Sequence, residues 1–187
     1  MNGYNKLFDK SKGEIICLLD SDDYFDKSKV QKIVDEFKKK KSIEFIQNLP
    51  SIKTGKKIKK RKNKNNPISF WPYLAPESCI SFRRNLMIKF KKINHNFRNK
   101  FPDIWFGFRL GVYAYFYKKK FYTLNENLTF YESLGESKKY SFFGKNWIFR
   151  RKESFEYLKK ILKGSKDLNK NLDYLMTNII QNLYKKR

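Results

Sequence analysis

The sequence predicts an α/β fold, on three observations. Five apolar residues from Ile15 to Leu19 form an unbroken run bounded by Gly13 and ended by carboxylates. A short apolar run of that kind reads as a strand buried on both faces, as in a parallel sheet. Val30, Ile33, Val34 and Phe37 then recur at helical spacing behind Ser28-Lys29-Val30-Gln31, which has the form of a capping box. The spacing predicts a helix from about Lys29 to Lys40. Ile43-Glu44-Phe45-Ile46 follows as a second short strand. Strand, helix, strand in that order defaults to parallel pairing through a right-handed crossover.

The remaining elements follow in order. Met1 to Lys12 is polar and reads as the tail of a helix leading into Gly13. Lys53 to Asn66 holds eight cations among fourteen residues with no apolar periodicity, so it reads as a solvated loop or as a contact with phosphate or anionic lipid. Pro67 to Pro76, with Phe70-Trp71-Pro72-Tyr73-Leu74, reads as an ordered loop over a cleft or a core lid. Ser78 to Phe82 resembles a strand, and Arg83-Arg84-Asn85 turns it into a short helix. His95 lies in a polar segment and reads as a surface residue. Phe101-Pro102-Asp103 looks like a helix start, with Pro near the first turn and Asp favoured by the helix dipole. That helix would run to about Tyr117, aromatic and largely buried. Phe121 to Leu124 and Leu128 to Tyr131 read as two short strands around Asn125-Glu126-Asn127. A helix near Phe155 to Leu162, a break at Gly164, and an amphipathic helix marked by Leu168, Leu172, Leu175, Ile179 and Leu183 close the chain.

Composition narrows the function classes. With 187 residues the chain can bury one core, and 40% hydrophobic with 18% aromatic content argues against wholesale disorder. Lys and Arg number 43 against 18 Asp and Glu, a formal net charge of +25. Such a field attracts polyanions: nucleic acid, an anionic membrane surface or phosphorylated substrates. Many of the lysines also read as plain solvated surface. Cys17 and Cys79 have neither metal-ligand spacing nor a disulfide framework, which fits a reducing, cytoplasmic compartment. No run approaches the roughly 18 to 20 apolar residues of a membrane span, and the first residues lack the apolar core of a signal peptide. A soluble or peripheral protein is expected.

The chemistry concentrates in Asp20-Ser21-Asp22-Asp23-Tyr24-Phe25. In open α/β sheets ligands bind beyond the carboxyl ends of strands, where these carboxylates would sit. Crowded carboxylates repel unless they share a cation, and a divalent metal carrying a phosphorylated ligand answers that. An EF-hand loop fails, because Tyr24 and Phe25 stand where an oxygen ligand and a glycine are needed. A haloacid-dehalogenase phosphatase would match two Asp residues two apart after a buried strand. It would also expect Thr or Val where Tyr24 stands.

The segment resembles the metal-binding centre of family-two, GT-A-fold glycosyltransferases more closely. Their pattern is an Asn, a Gly-Glu pair eight residues on, an apolar strand, then Asp-x-Asp-Asp followed by an aromatic. Here these are Asn5, Gly13-Glu14, Ile15 to Leu19, Asp20-Ser21-Asp22-Asp23 and Tyr24. Pro76 to Arg84 is similar to the strand and Arg turn leading into the family's acceptor half. Phe101-Pro102-Asp103-Ile104-Trp105 stands where the family has a Glu-Asp pair at a helix start, with Pro102 replacing the Glu. Leu128-Thr129-Phe130-Tyr131 followed by Ser137 looks like its closing strand. The likeness covers about Asn5 to Ser141, and Leu134 stands near the place of a histidine that often ligates metal.

The resemblance implies a partial GT-A fold: a mixed sheet flanked by helices over residues 1–147, with a C-terminal helical extension over 148–187. It implies an enzyme moving a sugar from a nucleotide-sugar donor to a saccharide or lipid-linked acceptor, in cell-surface polysaccharide synthesis. Asp20 would contact ribose or metal, with Asn5 also on the donor side. Asp22, with Asp20, would ligate Mn²⁺ or Mg²⁺ across the diphosphate, and Asp103 would be the catalytic base. The family's first strand-helix units, which bind base and ribose, would precede this segment, so the chain alone is expected to hold a nucleotide-sugar weakly or not at all. Its charge suggests peripheral contact with the inner face of an anionic membrane. The competing readings are a basic nucleic-acid-binding protein using Lys53 to Lys64, and a transferase remnant without catalysis.

Overall fold

The computed structural model describes residues 2–63, 66–94, 97, 100–132, 144–162 and 166–185. His95, Leu134, Ser137 and Gly164, each given a reading above, lie outside the described residues.

The elements in order are α1 (Asn2–Lys10), β1 (Ile15–Cys17), β2 (Tyr24–Phe25), α2 (Lys29–Lys39), β3 (Phe45–Thr54), β4 (Lys57–Lys60), β5 (Ile80–Arg83), α3 (Arg84–Asn94), α4 (Phe106–Val112), β6 (Phe121–Glu132), α5 (Lys145–Ile161), α6 (Lys166–Lys170) and α7 (Leu172–Lys185). A 3₁₀ turn, Glu77–Cys79, leads into β5, and a π-helical turn, Tyr113–Lys118, extends α4.

The sheet is mixed, with the order β1-β5-β3-β6-β2 and β4 folded back on β3. β3 lies parallel to β6 and antiparallel to β4 and β5, while β1 pairs antiparallel with β5 and β2 with β6. The expected β1–β3 pairing is therefore corrected. The two strands run in the same direction, but β5 fills the space between them and takes the hydrogen bonds of Ile15, Ile16 and Cys17. β1 is consequently an edge strand, half-buried rather than covered on both faces.

β1 and β2 sit at opposite ends of this order, yet residues 18–23 alone connect them. Six residues reach about 20 Å when fully extended, and four strand spacings need about 19 Å. The connection also contains a turn, closed by the Asp23 N–H on the Asp20 carbonyl at 3.2 Å. The sheet must curl to bring its edges together, and the acidic segment spans the gap.

Alternation along β3 feeds two layers. Phe45 faces Phe8 of α1, Leu86, Met87 and Phe90 of α3, and Phe106 and Leu110 of α4, whereas Ile46 faces Ile33 and Phe37 of α2. A third cluster joins Phe108 and Val112 of α4 to Phe155, Tyr157, Leu158 and Ile161 of α5. Two close approaches set α4 in place. A Cβ at Gly107 would come within 2.6 Å of Ile80 Cδ1, and one at Gly111 within 2.9 Å of Leu74 Cδ2.

Several expected boundaries change. Lys53 to Lys60 forms a hairpin, not a loop, turning at Gly55 with φ +57°. Asn125 to Asn127 stays within one long strand, β6; the register slips opposite Leu49 and Pro50, and Asn127 Nδ2 donates to the carbonyls of Pro50 (2.8 Å) and Arg61 (3.0 Å). α4 begins at Phe106, leaving Asp103 in the turn before it. Ser28 does not cap α2 with its side chain; its N–H and hydroxyl instead donate to Asp26 Oδ1. Finally, the last helix is turned over: Leu168 of α6 is buried, but Leu172, Leu175, Ile179 and Leu183 are exposed.

Candidate functional site

The acidic turn is held by groups from the start of β5, the 3₁₀ turn before it and the end of β6. Leu18 N–H donates to the Ile80 carbonyl at 3.0 Å, and Asp20 N–H to Ser78 Oγ at 2.9 Å. Asp23 Oδ1 accepts the Glu132 N–H at 2.9 Å. Asp23 is buried and its Oδ2 has no hydrogen-bond partner among the described residues, Asp20 is half-buried, and Asp22 is exposed. Burial, then the neighbouring Asp23 and Asp22 carboxylates, push the Asp20 carboxyl above its ordinary value, with the Ser78 hydroxyl opposing them. The Tyr131 phenol feels the same cluster: burial raises it first, then Asp23, Asp22 and Asp20. The three carboxylates and Tyr131 thus form one electrostatic unit at the ends of β1 and β6.

Beneath this unit lies Lys29, the first residue of α2. Its side chain is fully buried. Nζ donates to the Ser78 carbonyl and to Thr129 Oγ1 (3.0 Å), and stands 3.6 Å from the centre of the Phe25 ring. Burial lowers its pKa to about 8, against the opposing pull of Cys79, Cys17 and Asp23. Asn48 Nδ2 reaches the same Thr129 hydroxyl at 3.0 Å. Lys29 therefore ties α2, the 3₁₀ turn and β6 together directly behind the carboxylates.

Asp103 sits apart. It is exposed in the turn before α4, and its N–H donates to Glu153 Oε1 of α5 at 3.1 Å. No hydrogen bond or ion pair joins it to Asp20 or Asp22 among the described residues. Its turn is anchored by Arg109, which interrupts an otherwise apolar run. The guanidinium is buried and donates to the carbonyls of Phe97 (3.3 Å), Phe101 and Ile104 (3.2 Å), and to Asn94 Oδ1 (3.3 Å).

Asn5 is half-buried on α1, next to Tyr4, whose hydroxyl donates to Glu77 Oε2. Glu77 Oε1 accepts the Gly107 N–H at 2.8 Å, and burial raises its pKa. This glutamate, in an unremarkable Pro-Glu-Ser stretch, thus couples α1 and the start of α4 to the turn that carries Ser78.

Among the described residues no three carboxylate, thiol or imidazole groups gather to enclose a metal ion. The donor set is instead an exposed carboxylate, a half-buried one and a buried one whose second oxygen has no partner among the described residues. That suits a hard cation of the Mg²⁺ kind, which takes one or two carboxylates and completes its shell with water and substrate phosphates.

The family model for glycosyl transferase family 2 matches residues 1–119. The chain belongs to glycosyl transferase family 2. The matched span contains the acidic turn, Lys29, Glu77 and Asp103. Two solved structures are similar to this family-2 chain in fold. S. aureus TarS 1–349 in complex with UDP-GlcNAc is 14% identical with a TM-score of 0.53, covering 95% of this chain and 49% of that one. TarS 1–349 alone is 12% identical with a TM-score of 0.51, over 95% and 47%. The likeness is to the GT-A fold, and the chain spans about half the length of those TarS chains. No curated protein matches it.

Proposed function

We propose that the acidic turn is the diphosphate-binding centre of a glycosyltransferase that passes a sugar from a nucleotide-sugar to a saccharide or lipid-linked acceptor. The observation that carries this reading is the crowded set of carboxylates in a family-2 chain: burial first, then the neighbouring Asp23 and Asp22, push Asp20 up, and buried Asp23 keeps an oxygen without a partner among the described residues. Asp22 and Asp20 would hold Mn²⁺ or Mg²⁺, which when bound offsets the charge growing on the diphosphate as the sugar bond breaks. Asn5 would lie on the donor side. The acceptor oxygen attacks the anomeric carbon, the bond to the diphosphate oxygen breaks with its electron pair, and Asp103 takes the acceptor's proton. A uridine diphosphate sugar is the first donor to try, because the similar TarS structure holds UDP-GlcNAc. We place this work in cell-surface polysaccharide synthesis at the inner face of a membrane, with the +25 charge drawing the chain to anionic lipid or a phosphorylated acceptor.

The test is whether Mn²⁺ and UDP tighten each other's binding reciprocally, as expected when the diphosphate completes the shell of the metal. Paramagnetic Mn²⁺ titrations with and without UDP should show that coupling for the native chain and lose it for Asp22→Asn. Equal Mn²⁺ affinity with and without UDP would refute the assignment.

A further inference from the structure

α7 is packed inside out. Its polar side faces the protein: buried Asp173 accepts Arg151 Nε at 2.8 Å and the Phe70 N–H at 3.0 Å, Thr177 is buried, and Asn178 Oδ1 accepts Lys152 Nζ at 2.6 Å. Tyr174 takes Lys152 and Lys159 on its hydroxyl and packs its ring on Phe155. These contacts fix the rotation of the helix against α5. The other side carries Leu172, Leu175, Met176, Ile179 and Leu183, which are 57, 44, 42, 62 and 61% exposed. Their spacing places them on one stripe, and a continuous apolar stripe open to water marks a surface that binds something.

We propose that this stripe docks the protein on an anionic lipid surface, with α7 lying in the plane of the headgroups. Charge chooses the occupant. Exposed Lys170 and Lys185 bracket the stripe, Lys186 and Arg187 follow in sequence, and the one acid of α7, Asp173, is buried in its pair with Arg151. The outward side therefore offers an anionic headgroup nothing to repel it, and the chain as a whole carries +25. That charge opposes a second copy docking stripe to stripe. The stripe is also short for a helix pair: α7 has 14 residues, or two heptads, where a sustained seam needs about three to four. Among the described residues no helix is long and apolar enough to cross a membrane, so the geometry is that of a helix on the surface. The inference deepens the membrane contact of the reading above by naming the surface that makes it, and does not depend on the transfer chemistry, since lipid binding is scored without any donor.

Flotation of the full chain with phosphatidylcholine vesicles, with and without about one third phosphatidylglycerol, tests it. Binding should require the anionic lipid, weaken with salt, fall by about ten-fold or more in Ile179→Glu/Leu183→Glu, and persist in Ile179→Phe. Both variants change exposed side chains, and circular dichroism matching the native chain confirms that they fold. Unchanged binding by the Glu variant would assign attachment to charge alone and overturn the proposal. So would absence of native binding, or a native dimer that the Glu variant dissolves.

Discussion

Ser78 Oγ accepts the backbone N–H of Asp20 at 2.9 Å, linking two positions 58 residues apart. The carbonyl of the same Ser78 is held by Lys29, so one serine fastens the acidic turn above to the buried cation below. Ser78→Ala should cost about 1 kcal/mol in urea unfolding, the net worth of one hydrogen bond. It should also raise the Asp20 carboxyl further, because the Ser78 hydroxyl is what opposes the shift. Nuclear magnetic resonance titration of the Asp20 carboxyl in both proteins checks this.

The acidic turn favours binding at the expense of stability. A carboxyl raised above its unfolded value binds more protons folded than unfolded between the two pKa values. The contribution of Asp20 to stability is therefore greatest below its ordinary value near 3.8 and is lost as pH rises through the raised folded value. Asp20→Asn should leave the chain equally or slightly more stable at neutral pH, by a few tenths of a kcal/mol after solvent screening. Mn²⁺ should raise the melting temperature of the native chain more than that of the variant.

Lys29 has the opposite dependence. Its folded pKa of about 8 lies below the ordinary 10.5, so between those values the unfolded chain holds the extra proton and stability rises with pH. The native-minus-Lys29→Met difference in unfolding free energy should be flat below pH 8. It should then climb by on the order of 2 kcal/mol toward pH 10.5. A difference that stays level across that window would mean Lys29 is charged throughout.

Arg109 is the anchor of the Asp103 turn. Arg109→Leu leaves the carbonyls of Phe101 and Ile104 without their buried donor, and should cost about 3 kcal/mol or more. Arg109→Lys keeps the charge but loses the planar fan of donors, so it should recover little of that. Hydrogen exchange across residues 100–104 should quicken in both.

How much of this was legible in the sequence depends on which force fixes each element. α2 could be read because Ile33 and Phe37 repeat at helical spacing and do bury. The strand from Ile15 was placed by its apolar run, but its neighbour was not, since nothing local says that β5 arrives from sixty-odd residues away to separate it from β3. The β3–β4 hairpin was hidden because Lys57 to Lys60 is exposed at every position and shows no alternation. α7 misled for a related reason: periodicity reports that a stripe exists, and only the Arg151–Asp173 and Lys152–Asn178 contacts say which way it faces. In the site, Asp20, Asp22 and Asp23 were visible as a pattern. Lys29, Ser78, Glu77 and Arg109 were not, because each acts through carbonyls, hydroxyls or amides that only the fold brings within reach.

The central claim is that Asp22 and its neighbours hold a divalent cation against a nucleoside diphosphate. The most direct measurement is the Mn²⁺ affinity of the full chain, with and without UDP, for the native protein and Asp22→Asn. Tighter Mn²⁺ binding in the presence of UDP, abolished by Asp22→Asn, is the predicted result. Identical affinities in the two proteins, or UDP binding indifferent to Mn²⁺, would contradict it.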